Sequence, residues 1–511
     1  MSRTQKSIKN IIVALLFFAI NLVLQFVSRK IFIDYLGTEV LGLNATIVSI
    51  LQFLNISELG ISSAVACTLY EPLFRDDKTS ISEILSVHKW LYRRIGFFIT
   101  AASVAVVLCI PYIFSKSTLP LWYAYSSFIV LLITNLPGYF VNYDQVLLVA
   151  DQKDYKIQYA YKLPMALKIL CQIICIRFFQ NGYIWWLICE FLFAILSSIL
   201  LKRSILKAYP YLEVTLINPL NDEGRYSSLI NKVKQLFVHK ISSFALSQLS
   251  PIIIYALASL SLVTIYGNYF LIVTGVMSLL NAMFNSINGG VGNLVAENNK
   301  DRIINVFCEL FTSRFFLVTV SSVLIYYLAN SFVILWVGEN FIIDDFSLLM
   351  MTVIFYINTM RSVVDSFLNA YGLFADIWAP LAETVLNVSL SIILGKIWGL
   401  SGILIGVAIS LFIIVFIWKP YYLFKRGFKI PFWFYVKNYL KHAVLFVGAF
   451  MLFRYLYSFL DLTNLQTSPM SFLGYLIILF LIIAIPLFSL LWLFEKGMKA
   501  FVNRILCMFK R

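Results

Sequence analysis

The chain has 511 residues, is 61% hydrophobic and only 13% charged, and has a mean hydropathy of +0.86. Those values exclude a soluble globular domain, in which about a quarter of residues carry charge. Its 40 Lys and Arg outnumber its 25 Asp and Glu, a formal net charge of +15; in a membrane protein that excess decorates cytoplasmic loops and needs no nucleic-acid partner.

Apolar runs of bilayer-crossing length recur from end to end. In chain order they predict about fourteen spans, at about 11–33, 46–70, 95–114, 121–143, 157–179, 183–201, 241–262, 266–288, 311–335, 346–371, 374–395, 399–418, 443–460 and 472–493. The first run lacks a small-residue cleavage site and reads as a retained helix. The chain is therefore expected to be an all-α, multi-pass membrane protein.

Basic residues test the topology. With the N-terminus inside, the inside segments hold about 32 of the 40 Lys and Arg, Arg314 and Lys419 among them. The outside loops keep little beyond Lys116 and Lys396, and carry acids such as Asp34, Glu39, Asp344 and Asp345. Both termini are then cytoplasmic. The polar stretch 202–240 reads as a cytoplasmic linker between a lobe at 1–201 and a lobe at 241–420, with two further helices and a basic tail over 421–511. "KTSISEILSVHKWLYRR" (78–94) is expected to be an amphipathic helix on the inner surface, with Ser80 and Glu83 in capping-box spacing.

"NISELGISSAVACTLYEP" and "NSINGGVGNLVAENNKDR" share Asn55/Asn285, Gly60/Gly290, Val65/Val295 and Ala66/Ala296 at one constant offset, close to half the chain. That pairs span 2 with span 8, as two six-helix halves require, in a parallel repeat.

A charge at mid-membrane costs roughly 2.5–3.5 kcal/mol on insertion scales, so each one asks for a reason. Arg29, Lys30 and Arg177 lie near helix ends, where snorkelling competes with a site role. Lys168 lies near mid-span. Arg361 and Asp365, at i and i+4, either neutralise each other or serve a site. Glu58, with Asn55 and Ser62 one turn to either side, marks a polar stripe that lines a cavity or a helix–helix network. Arg454, in an appended span, suits a structural or lipid contact. Glu58, Asp365, Glu190 and Glu383 are the acids able to couple transport to an ion gradient; there is no GxxxxGK[ST] phosphate loop. Seven Cys without CxxC, and His88, His239 and His442 in polar connecting segments, form no metal constellation. No cofactor is expected.

The stretch "SRKIFIDYLGTEVLGLNATIVSILQFLNISELGISSAVACTLYEPLFRDDK" resembles the start of Wzx-type polysaccharide flippases, of the superfamily that includes multidrug exporters (MATE) and lipid II flippases. The matching features are the Arg late in span 1, "YLGTEVLGLN", "ELGISSA" and "LYEPL" followed by charges. The resemblance implies two six-helix lobes around a cavity with alternating access, in the bacterial cytoplasmic membrane. It implies transport, without enzymatic chemistry, of an undecaprenyl-pyrophosphate-linked oligosaccharide for surface polysaccharide biosynthesis. It further implies membrane lipids, a polysaccharide polymerase and other assembly proteins as partners. Arg29 matches the family's basic position.

A pyrophosphate needs cations, which guanidinium satisfies bidentately. Arg29, Lys30, Lys168 and Arg361 are the candidates, with Asn55, Glu58, Asn285 and further amides at Asn44, Gln52, Asn281 and Asn288 for the glycan. The rival reading is a MATE-like exporter of cationic drugs, whose cavity should be acidic.

Overall fold

A computed structural model describes the backbone of residues 3–55, 61–151, 153–217, 249–297, 299–373, 376, 378–460 and 468–509. Side chains 3–15, 63, 67, 283, 285–290, 293, 296 and 505–509 lie outside the description. Among the described residues every regular element is helical. Eleven helices among the described residues are long and apolar enough to cross a bilayer. A helix satisfies all its backbone groups internally, which is what hydrocarbon demands.

Residues 3–264 form one compact unit. It contains α1 (Arg3–Leu36), α2 (Thr38–Leu54), α3 (Ile61–Arg75), α4 (Lys78–Ile113), α5 (Leu121–Phe140), α6 (Gln145–Ala150), α7 (Asp154–Phe178) and α8 (Gly182–Ala208). Helix α7 packs in an antiparallel hairpin on α8 and also against α1. Residues 249–264 pack in this unit too: Thr264 Oγ1 donates to the Thr38 carbonyl (2.7 Å), and Phe114 stacks on Tyr255 at 5.3 Å.

The second unit, 265–511, holds most of α9 (Leu260–Ala296), then α10 (Lys300–Val337), α11 (Asp345–Ala370), α12 (Trp378–Phe428), α13 (Trp433–Tyr457), α14 (Pro469–Phe494) and α15 (Lys496–Phe509). Helix α10 is central, packing on α11, α14 and α15.

The expected count of fourteen meets this architecture with specific differences. Predicted spans 11 and 12 are the two helical arms of α12, which reverses direction at Trp398 and at Gly399 (φ +58°), a conformation that glycine adopts without strain. The bend folds α12 back on itself so closely that a Cβ on Gly402 would sit 2.0 Å from the Leu394 carbonyl oxygen, and one on Gly406 2.4 Å from the Ser391 nitrogen. Small residues four apart allow that approach. Predicted spans 2 and 7 fall partly outside the described residues, as does most of the linker.

The inner-surface helix expected at 78–94 is instead the first half of the 36-residue α4. Its cap is Asp77, which accepts from the Ser80 N–H at 3.0 Å; Ser80 lies inside the first turn. The segment past α8 lies along α4, with Lys89 Nζ donating to the Val214 carbonyl and the Thr215 N–H to Ser86 Oγ.

Candidate functional site: buried charges in two helical units

The first unit buries an acid–base pair across the α7–α8 hairpin. Lys168 lies about 15 Å along α7 from its Phe178 end, at 1.5 Å per residue. Its Nζ donates to Glu190 Oε1 at 2.6 Å, and Gln172 Nε2 donates to Glu190 Oε2 at 2.8 Å. Lys168 and Gln172 are one turn apart, so both reach the same carboxylate.

On α1, Arg29 is half-buried and Lys30 exposed. The Arg29 guanidinium turns toward protein and donates to the Thr264 carbonyl at 2.9 Å. Asn55 sits half-buried at the C-cap of α2, and its N–H closes the last turn. Glu58 lies outside the described residues. Asn285 is on α9 with its side chain outside the description. Asn44, expected to be available to a glycan, is buried among α2, α5 and α8, where its Oδ1 accepts from Ser127 and, at 3.4 Å, from Tyr183. Amides buried between apolar helices serve helix–helix packing. Gln52 is exposed, and so is Arg177, beside Phe178.

The second unit holds a four-membered network. Arg361 Nε donates to Asp365 Oδ2 at 2.7 Å, one turn away on α11. Its Nη1 lies 3.5 Å from Oε1 of the fully buried Glu383 on α12. Lys419 Nζ, also on α12, donates to Asp365 Oδ1 at 3.0 Å. Two cations and two acids balance. Lys419 was counted above with the inside loop; it lies between two π-helical stretches of α12, Phe412–Trp418 and Leu423–Phe428. Such widened turns are frequent at functional sites. The signal in the sequence was a Lys before Pro420 at the end of an unbroken apolar run.

Arg314, also counted with the inside loops, is fully buried in α10. Its Nε donates to the Thr359 carbonyl (3.1 Å), its Nη1 to the Leu280 carbonyl (3.4 Å) and its Nη2 to Asn281 Oδ1 (2.5 Å), while the guanidinium lies 4.4 Å from the Phe284 ring centroid. No carboxylate pairs with it among the described residues. The flanking Phe315 and Phe316, and the apolar run after them, were the signal that this Arg is inside the bundle.

Beside it, α10, α11 and α13 line an open apolar cavity of about 470 Å³, walled by Phe315, Tyr326, Phe446 and Phe450. Tyr356 and Tyr439 join their hydroxyls at 2.5 Å at its edge. Five residues before Arg314 on α10, Glu309 meets Arg504 of α15 at 2.8 Å. Arg454 is exposed and donates to the Tyr327 hydroxyl at 3.3 Å.

Outside the spans, Asp344 caps α11. Burial pushes its carboxyl up, but the Ser347 N–H and the hydroxyls of Ser347 and Ser401 outweigh burial and hold it below the usual carboxylate range.

No protein-family model matches the chain, and no curated protein matches it. Solved structures do. A lipid II flippase, MurJ, in an inward closed conformation superposes with a TM-score of 0.66 at 15% identity, over 96% of this chain and 99% of that one. An inward-facing multidrug resistance MATE family transporter of the MOP superfamily gives 0.60 at 14% identity, over 81% and 98%. A MOP superfamily transporter from Pyrococcus furiosus, described as having a binding pocket of reverse polarity, gives 0.54 at 14% identity, over 83% and 96%. At such identities the likeness establishes architecture: the chain is an all-helical membrane protein with the fold of MOP-superfamily transporters.

Proposed function

We propose that the protein is a Wzx-type flippase that carries a polyprenyl-pyrophosphate-linked oligosaccharide across the cytoplasmic membrane by alternating access. The observation that carries this reading is Arg314, a buried guanidinium compensated by carbonyls and a ring, with no carboxylate partner among the described residues. A buried cation without a counter-charge is costly, and in low dielectric its field reaches far. A pyrophosphate offsets that cost; a cationic drug adds to it.

Further residues in each unit are candidates for the same cargo. Arg29, Lys168, Arg361 and Lys419 are further cations able to meet phosphate oxygens, with Lys30 exposed beside Arg29. The aromatic-walled cavity beside α13 suits a hydrocarbon chain, and Asn55 and Asn285 supply amides for sugar hydroxyls. Glu190, Asp365 and Glu383, each beside a cation, are the described acids able to exchange a proton or ion during the cycle; Glu58 is a fourth candidate. The likeness to the lipid II flippase covers 96% of this chain, against 81% for the MATE family transporter, which supports lipid-linked over water-soluble cargo.

A transbilayer assay tests the reading. Purified protein is placed in liposomes with a polyprenyl-pyrophosphate oligosaccharide in both leaflets, and an impermeant glycan-oxidising reagent is added outside. The protein is expected to expose the protected pool, and Arg314→Gln to slow that exposure. No exposure under an imposed ion gradient or potential would overturn the proposal and make cationic dyes the next cargo to try.

A further inference from the structure

Three of the seven cysteines, Cys171, Cys175 and Cys189, lie on the hairpin that carries Lys168 and Glu190. Cys175 Sγ lies 3.8 Å from Cys189 Sγ, across the packed face of α7 and α8. Cys189 is buried and Cys175 half-buried. Cys175 sits one turn from the hairpin loop at 179–181 and one turn beyond Gln172, while Cys189 directly precedes Glu190.

Small apolar side chains would fill this contact as well as two thiols do. What thiols add is chemistry. Among the described residues no further ligand completes a metal site around them, so a bond between the two sulfurs is the chemistry within reach. A disulfide needs sulfurs about 2.05 Å apart. The gap of 3.8 Å therefore has to close by somewhat under 2 Å, and each sulfur can swing about its own Cα–Cβ bond to do so.

We propose that Cys175 and Cys189 are a covalent modification site: a reversible disulfide that fastens α7 to α8 beside the Lys168–Glu190 pair. The two thiols lose two protons and two electrons and one S–S bond forms. A diffusible two-electron oxidant, hydrogen peroxide, takes up both and leaves as two waters. The link holds Glu190 against Lys168 and Gln172, and a dithiol reductant restores the free hairpin. It stands whichever cargo the protein moves.

The full-length protein in membranes is treated with hydrogen peroxide, denatured, and its free thiols counted by polyethylene-glycol maleimide gel shift. Wild type is expected to lose two labelling steps that Cys175→Ser, Cys175→Ala and Cys189→Ala keep, and dithiothreitol is expected to return them. In tryptic digests, peptides 169–177 and 178–202 should travel joined until reduced. Equal losses in wild type and variants would overturn the proposal. So would a Cys175→Ser chain that still links the two peptides, because Cys171 would then be the partner.

Discussion

Lys168 Nζ and Glu190 Oε1 meet at 2.6 Å across one hairpin, with side chains only 12% and 13% exposed. Removing one member strands the other in a low-dielectric interior, at a cost of roughly 3–5 kcal/mol. Lys168→Met alone and Glu190→Gln alone are therefore expected to lower the unfolding midpoint in detergent well below that of the double variant. A double-mutant cycle on thermal unfolding reads this directly; additive losses would mean that the pair is not coupled.

Asp365 competes with any anion for Arg361 and Lys419. Asp365→Asn removes the acid that Lys419 meets and leaves Arg361 with Glu383 alone, and should tighten binding of inorganic pyrophosphate by about tenfold, or ~1.4 kcal/mol. Lys419→Gln should weaken it by a similar factor. Titration calorimetry on the purified variants gives the sign, and an acid-to-amide change that weakens binding would contradict the competition.

The Asp344 cap gives a pH signature. Its carboxyl lies below the usual range when folded, so it contributes stability above the unfolded-state pKa and loses it as pH falls through the lower folded value. Asp344→Ala should cost about 1 kcal/mol at neutral pH, and the gap to wild type should narrow in acid. Unfolding midpoints of the two chains measured from pH 7 downward test both statements.

Where α12 folds back, Gly402 leaves no room for a methyl group, since a Cβ would lie 2.0 Å from the Leu394 carbonyl oxygen. Gly402→Ala should therefore destabilise by roughly 1–3 kcal/mol, as overpacking does, despite the higher helix propensity of alanine. Gly474→Ala, where nothing lies within 4 Å, should be neutral or better. Fluorescence-detected size-exclusion after heating separates the two.

Membrane class, helical architecture and most spans were legible because hydropathy is a local property of some twenty residues. The i, i+4 contact of Arg361 with Asp365 was legible for the same reason, since one helical turn sets it. Lys419, one residue past predicted span 399–418, and Arg314, at the start of predicted span 311–335, were counted with the inside segments because a charge at the end of a span looks alike whether it enters a loop or continues in a longer helix. Helix α10 runs 38 residues and begins at Lys300, so Arg314 lies well inside it. Asn44 was misread because composition tells that an amide is in a span, and not which face of the helix carries it.

By itself, then, the sequence determined that this chain is a multi-pass helical membrane protein with charges inside its spans. Beyond the i, i+4 contact of Arg361 with Asp365, which charges meet was decided only by tertiary structure. Pairing depends on the rotation of each helix about its axis and on the depth at which neighbours cross, and neither is written in the residues of one helix alone. Lys168 finds Glu190 because α7 and α8 pack face to face. Lys419 finds Asp365 because the bend at Gly399 and the widened turns of α12 carry it there.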